Sequence, residues 1–218
     1  PISLFFLPET HKYSDNKTKT NVVSDYLAIL KNRRFVVYSL IAGIVNGALM
    51  IYVANGPFLI MKIGGFSGNA FSIIFAINAF GLMLASYLTT VLQKYIKTSK
   101  LVKYALLFMT FVGAVLLAMM YMGFSMIMIL PVLFFYIFPI GILFPATTEL
   151  AMAPFAETNS SGTASALFGS IQLASAFLCT ILSGIISDGS VVAVGIAFFL
   201  CSILAFIIVF SRVSIKEE

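Results

Sequence analysis

Six long apolar stretches dominate this sequence and decide what it can fold into. They cover residues 35–60, 70–92, 101–122, 125–148, 162–187 and 191–210. A bilayer core of about 30 Å requires about 20 apolar residues per helix, so each stretch is long enough to span it. Because 61% of the residues are hydrophobic and only 10% are charged, a water-soluble fold would leave much of this surface facing water.

The short connections between these stretches make neighbouring helices antiparallel. The ten-residue alternating pattern of outer-membrane barrels does not occur, so we expect an all-α integral membrane protein. The apolar run from Ile2 to Leu7 is too short to span a bilayer and resembles the end of a preceding helix. We therefore predict four regions: the end of a truncated helix (1–8), a cytoplasmic connector (9–34), a six-helix transmembrane bundle (35–210) and a cytoplasmic tail (211–218).

The distribution of lysine and arginine predicts the orientation. Twelve of them lie on one side of the predicted bundle, and only Lys62 lies on the other. Basic residues collect on the cytoplasmic side of membranes. We therefore expect a multi-pass protein of the plasma (inner) membrane with both ends of this chain in the cytoplasm. Within the connector, residues 24–31 can form a short interfacial helix with Ser24 as its N-cap.

Polar residues are unevenly distributed among the spans. The first two spans of each group of three contain them, whereas the third and sixth spans are almost wholly apolar. This pattern predicts a 3+3 internal repeat in which the third helix of each group faces lipid. The residues in question are Asn46 and Asn55 in the first span, Asn78 in the second, Glu149 at the end of the fourth and Gln172 in the fifth.

Polar side chains inside a bilayer usually face another helix or a water-filled cavity. Aromatic rings provide apolar and cation–π contact to varied ligands, and amides provide adaptable hydrogen bonds. An alternative is that these amides only bond between helices, and the small-residue face around Gln172 is equally compatible with a packing surface. Our candidates for a substrate cavity are Asn46, Phe58, Phe75, Asn78, Tyr136 and Gln172.

Several residues predict bends in the spans. Each internal proline removes a backbone hydrogen bond, which suits a helix that bends as a cavity opens and closes, or one that is permanently kinked. The candidates for kinks or gating are Pro57, Pro139, Gly141 and Pro145.

Other function classes lack their motifs. The sequence has no Gly-x-x-x-x-Gly-Lys-[Ser/Thr] loop for ATP and no His-Glu-x-x-His motif. His11 lies far from other ligands, and Cys179 and Cys201 lie in apolar runs. We therefore expect no enzyme activity, cofactor or metal. We expect no nucleic-acid partner either, because the basic residues flank apolar runs where lipid headgroups lie.

Several motifs occur in order along the chain: 7–10 (LPET), 52–58 (YVANGPF), 75–81 (FAINAFG), 141–145 (GILFP), and 153–155 (APF) followed by 162–167 (GTASAL). Together they resemble the carboxy-terminal half of the major facilitator superfamily, specifically the bicyclomycin-resistance (Bcr/CflA) drug exporters. The resemblance implies twelve helices in the intact protein and a cavity between two six-helix halves. It also implies export of drug-like molecules in exchange for protons, with the acidic coupling residue in the missing amino-terminal half.

The leading functional hypothesis is proton-coupled efflux of small amphipathic molecules, with this chain as the carboxy-terminal half of an antiporter that confers drug resistance. The alternatives are uptake of a nutrient or metabolite, or a membrane scaffold or fragment without transport activity. Against a narrowly selective site for charged substrates, no arginine or lysine lies in the middle of any predicted span.

Overall fold

The computed structural model describes residues 22–156, 158, 160–186 and 189–212. Within these residues the chain forms helices and no strand. The α-helices are α1 (Val22–Lys31), α2 (Arg33–Pro57), α3 (Gly68–Leu92), α4 (Thr98–Tyr121), α5 (Met126–Met152), α6 (Ser161–Ile186) and α7 (Val191–Arg212). A π-helical segment, Phe58–Ile63, continues α2, and a 3-10 turn, Ala153–Phe155, follows α5.

The prediction of six apolar spans is confirmed, because α2 to α7 are each long and apolar enough to cross a membrane. α1 begins at Val22, so Ser24 lies inside this helix and the N-cap prediction was wrong. The expected truncated helix, most of the connector and most of the tail lie outside the described residues.

Side-chain caps and glycine turns fix the ends of the spans. The Asn32 side chain accepts a hydrogen bond from the backbone N–H of Phe35 at 3.1 Å, and Ser67 accepts one from Ala70 at 3.3 Å. Gly65 and Gly123 adopt positive φ angles of 70° and 71° in the turns before α3 and α5. Glycine adopts this conformation without steric cost, which permits these short reversals of the chain.

The packing has the symmetry of a repeated three-helix unit. The extensive helix pairs are α2–α6, α3–α5, α4–α5, α2–α7, α2–α5 and α4–α7. Exchanging each helix with the one three places later maps α2–α6 onto α5–α3 and α2–α7 onto α5–α4. The pairs α2–α5 and α4–α7 map onto themselves. This pattern is that of a 3+3 repeat, as the polar residues predicted.

Burial follows the same repeat. In the most apolar stretch of each span, the share of residues that are buried is 67% for α2 and 50% for α5, compared with 44% for both α4 and α7. This share is only 17% for α3 and 11% for α6. In the described bundle the second helix of each group is therefore the most exposed. That the third helix of each group faces lipid stays a prediction, because exposure in this bundle does not distinguish a lipid-facing surface from one covered by another part of the protein. α2 and α5 are therefore central, and α3 and α6 flank them.

Candidate functional site

A polar and aromatic cluster joins α2 to α3 near the Pro57 end of α2. The Asn78 amide nitrogen donates hydrogen bonds to the Tyr52 hydroxyl at 2.9 Å and to the Ile74 carbonyl at 3.0 Å. The rings of Tyr52 and Phe75 are stacked, with centroids 5.7 Å apart and an interplanar angle of 9°. We call Tyr52, Phe75 and Asn78 the α2–α3 cluster. It brings together two predicted site residues and Tyr52, which we had not singled out.

The Asn78 side-chain oxygen makes the cluster unusual. Asn78 is 4% exposed, and its Oδ1 atom has no hydrogen-bond partner within the described part of the chain. A buried polar atom without a partner costs on the order of 1–3 kcal/mol. A hydrogen-bond donor reaching this oxygen would remove that cost, so the cluster is suited to binding a ligand or water.

The spacing of residues along α3 explains why the cluster forms. Phe71, Phe75 and Asn78 are four and three residues apart, which places them on one face of the helix. The rings of Phe71 and Phe75 are 5.9 Å apart, and Phe71 also contacts Gly56 of α2. The turn at residues 64–67 returns the chain antiparallel to α2, which brings this face of α3 to Tyr52.

Phe58 and Asn46 lie elsewhere on the first span. Phe58 is half-buried in the π-helical segment, and the Lys62 ammonium lies 5.7 Å from the centroid of its ring. Asn46 is buried beside Gly47 and makes no hydrogen bond to another described side chain or backbone group. Among the described residues, neither side chain shares a hydrogen bond or ring contact with the α2–α3 cluster.

The small-residue face of α6 packs against α2. A Cβ atom added to Gly47 would lie 2.6 Å from the Cβ of Cys179, and Gly43 meets Ser175 just as closely. This close crossing assigns Ala176 and Cys179 to helix packing. They are two of the six residues of the predicted face, which are Ser165, Gly169, Gln172, Ala176, Cys179 and Ser183. Gln172 is half-buried beside the crossing, and its amide makes no hydrogen bond within the described residues.

Tyr136 lies inside the bundle. Its hydroxyl donates a hydrogen bond of 2.6 Å to the Phe198 carbonyl, and the two rings are 5.0 Å apart. The side chain is completely buried and also lies against Gly113 of α4. In the described bundle Tyr136 therefore does not form part of an open wall, because α4 and α7 cover it.

The predicted bending residues have different surroundings. Pro57 ends α2 immediately before the π-helical segment, and π-helical turns are frequent at functional sites. Pro139 and Pro145 lie within α5, which remains one continuous helix. Gly141 lies against the Leu82 carbonyl, and an added Cβ would be 2.8 Å from that of Ala85. The lack of a side chain at Gly141 therefore permits the close α3–α5 crossing.

A hydrogen-bonded network fixes the opposite end of the bundle. The Glu149 carboxylate near the end of α5 accepts hydrogen bonds from Gln93, just after α3, and from Thr98 at 3.1 Å. Gln93 also donates to the Thr98 hydroxyl at 3.4 Å. This network ties the α3–α4 turn to α5. Sequence reasoning missed it, because Glu149 is 56 residues from Gln93 and 51 residues from Thr98.

One cavity of about 420 Å³ lies away from the α2–α3 cluster, against the turns at Gly64 and Gly123 and the start of α7 at Val191. In the part of the chain that the structure describes, no group of three His, Cys, Asp or Glu side chains is arranged to hold a metal ion.

Comparisons with known proteins bear on the class of protein to which this chain is similar. No protein-family model matches the chain. It is 29% identical over 177 residues to the "Uncharacterized MFS-type transporter YdgK" of Bacillus subtilis (strain 168). The match covers 81% of this chain and 43% of the relative, so the chain spans less than half of the relative's length.

The sequence motifs resembled the major facilitator superfamily and, within it, the Bcr/CflA exporters. The similarity to this relative supports a relationship to the superfamily. The six apolar helices, packed as a 3+3 repeat, fit a six-helix half of a major facilitator fold.

Proposed function

We propose that this chain is the carboxy-terminal half of a secondary active transporter of the major facilitator type. The observation that carries the proposal is the buried, unpaired Asn78 oxygen beside the Tyr52–Phe75 stack. A protein that only spans the membrane gains nothing from an unpaired acceptor, whereas a transporter needs groups that a substrate can satisfy. The similarity to an MFS-type transporter supports the same class.

The chemistry of this wall favours small amphipathic, drug-like molecules. Aromatic faces accept apolar or cationic groups of varied shape, and the Asn78 oxygen accepts one hydrogen bond from such a molecule. Asn46, Phe58 and Gln172 complete the proposed cavity wall, and Tyr136 is left out because it is enclosed. The proposed bending sites are Pro57, Pro139, Gly141 and Pro145.

The proposed mechanism is export in exchange for protons, as in the Bcr/CflA exporters that the sequence motifs resemble. The described spans contain no aspartate or glutamate at mid-depth, since Glu149 lies near the end of α5. We therefore assign proton coupling to an acidic residue of the other, amino-terminal half. That half would cover α3 and α6, whose surfaces are the most exposed.

The proposed location is the plasma (inner) membrane, with both ends of this chain in the cytoplasm. The Arg33–Arg34 pair at the start of α2 and the lysines of the α3–α4 turn lie at the same end of the bundle. Lys62 lies at the other end, after α2. Positive residues favour the cytoplasmic side, which supports this orientation.

The test is the Asn78→Leu variant of the full-length protein. If Asn78 contacts substrate, losing this hydrogen bond removes on the order of 1 kcal/mol, a severalfold change in apparent affinity that differs among drugs. Drug accumulation in cells is measured for several compounds at matched protein abundance. Thr89→Val is the control, because Thr89 is buried on the same helix and its hydroxyl bonds only within that helix, to Ala85.

An unchanged ranking of the drugs in Asn78→Leu, together with lower abundance, would show that Asn78 is structural. Drug accumulation that does not change on deletion of the intact transporter would refute the proposed export function.

A further inference from the structure

The α3–α4 turn carries a dense group of positive charges. Lys94, Lys97, Lys100 and Lys103 lie within ten residues, from the turn into the first two turns of α4. Three of the four lysines are exposed, and Lys103 is half-buried. We call Lys94, Lys100 and Lys103 the basic patch.

Little negative charge opposes the basic patch within the described residues. No carboxylate there pairs with Lys94, Lys100 or Lys103. Glu149 contacts the turn, but it accepts its hydrogen bonds from the uncharged side chains of Gln93 and Thr98. The first turn of α4 contains no acidic residue, although the positive end of the helix dipole favours one there. The positive charge of this turn therefore attracts an anion from outside the described bundle.

The turn is also held in a defined shape. Backbone hydrogen bonds run from Tyr95 and Ile96 to the Leu92 carbonyl, at 3.0 and 2.9 Å. The network of Gln93, Thr98 and Glu149 fixes the turn to the end of α5. The backbone carrying the lysines is thus fixed before a partner binds, which lowers the entropy cost of binding.

The surroundings of the patch are those of a membrane–water interface. The patch lies at the end of two membrane-spanning helices, beside Tyr95, which is 82% exposed, and Tyr104, which is 61% exposed. Tyrosines are enriched at the level of lipid headgroups. Clustered lysines beside a transmembrane helix bind anionic lipids.

From this juxtaposition of exposed tyrosines, a fixed turn and a basic patch that no described carboxylate pairs with, we propose that the α3–α4 turn binds the phosphate headgroups of anionic phospholipids in the adjacent leaflet. The partner is the lipid of the membrane itself. Because Glu149 holds the same turn against α5, the bound lipid contacts the element that joins α3, α4 and α5.

The experiment titrates the full-length protein in detergent with short-chain phosphatidylglycerol or phosphatidylcholine and counts bound lipids by native mass spectrometry. We expect preferential retention of phosphatidylglycerol, weakened by salt. Replacing Lys94, Lys100 and Lys103 together by Gln should weaken that binding by roughly 100-fold, since each lysine near the headgroups contributes about fivefold. Replacing the same residues by Arg should preserve binding, and Lys62→Gln, at the opposite end, should leave it unchanged.

Equal retention of the two lipids by the unmodified protein would overturn the proposal without requiring any variant to fold. So would unchanged phosphatidylglycerol binding in the correctly inserted triple Gln variant. Displacement of the lipid by equimolar inorganic phosphate or by a short oligonucleotide would assign the patch to a soluble anion instead. None of these three results depends on whether the protein exports drugs.

Discussion

α2 and α5 occupy equivalent places in the 3+3 repeat but use a buried tyrosine in different ways. Each helix has a glycine-mediated close crossing, α2 with α6 and α5 with α3. The Tyr136 hydroxyl of α5 donates its hydrogen bond to the backbone carbonyl of Phe198. This bond therefore involves no second side chain. Tyr52 of α2 bonds to Asn78, whose side-chain oxygen has no hydrogen-bond partner among the residues that the structure describes. A tyrosine whose hydroxyl already has a hydrogen-bond partner, such as Tyr136, contributes to packing. The Tyr52–Asn78 pair instead keeps one acceptor, the Asn78 side-chain oxygen, to which a ligand can donate a hydrogen bond.

The largest effect should come from the feature that the two helices share. In Gly141→Ala the new Cβ would meet the Leu82 carbonyl and the Ala85 side chain, and the backbone oxygen cannot rotate away. Overpacking of this kind costs about 1–3 kcal/mol. We expect a lower melting temperature in detergent and reduced abundance in the membrane.

Gly184→Ala is the control for this prediction, because nothing lies within 4 Å of the Cβ that it adds on α6. Equal melting temperatures for Gly141→Ala and Gly184→Ala would show that the α3–α5 crossing is not as close as described.

The two crossings also show which part of the fold could be predicted from the sequence. Apolar length alone predicted the six spans, because a bilayer requires a nearly fixed number of residues. Two small residues four positions apart, such as Gly43 and Gly47, are typical of close helix crossings, but a sequence pattern does not state which helix a small residue meets. The face around Gln172 was therefore open to two interpretations, and the structure assigns Ala176 and Cys179 of that face to packing against α2.

The candidate site could be predicted only in part. Asn78 and Phe75 were selected because an amide and an aromatic ring inside a span are conspicuous. Tyr52 was missed because its partner Asn78 is 26 residues away, although a tyrosine within an apolar run is itself a signal that its hydroxyl needs a partner. Tyr136 was selected as an aromatic ring inside a span, but its hydroxyl bonds to a backbone carbonyl, which any sequence provides.

A smaller effect should separate the two tyrosines. Tyr136→Phe removes the hydrogen bond to Phe198 and keeps the ring, so it should cost about 1 kcal/mol of stability. We expect a slightly lower melting temperature and no change in the ranking of drugs by transport at matched abundance. An altered ranking at unchanged stability would place Tyr136 in the substrate path and remove the contrast with Tyr52.

The smallest effect is the coupling between Tyr52 and Asn78. Their contact is one hydrogen bond of 2.9 Å, so the stability of Tyr52→Phe combined with Asn78→Leu should differ from the sum of the single changes by about 0.5 kcal/mol. Tyr52→Phe alone leaves Asn78 with its bond to Ile74 only, which should weaken stability and transport together. Asn78→Leu instead removes the unpaired oxygen, so its stability should fall less than its transport. Melting temperatures and drug accumulation for the two single variants and the double variant measure both quantities.

Strict additivity in both stability and transport would mean that the Tyr52–Asn78 hydrogen bond contributes nothing. Coupling in stability without coupling in transport would show that the bond only holds α2 to α3 and that the substrate lies elsewhere.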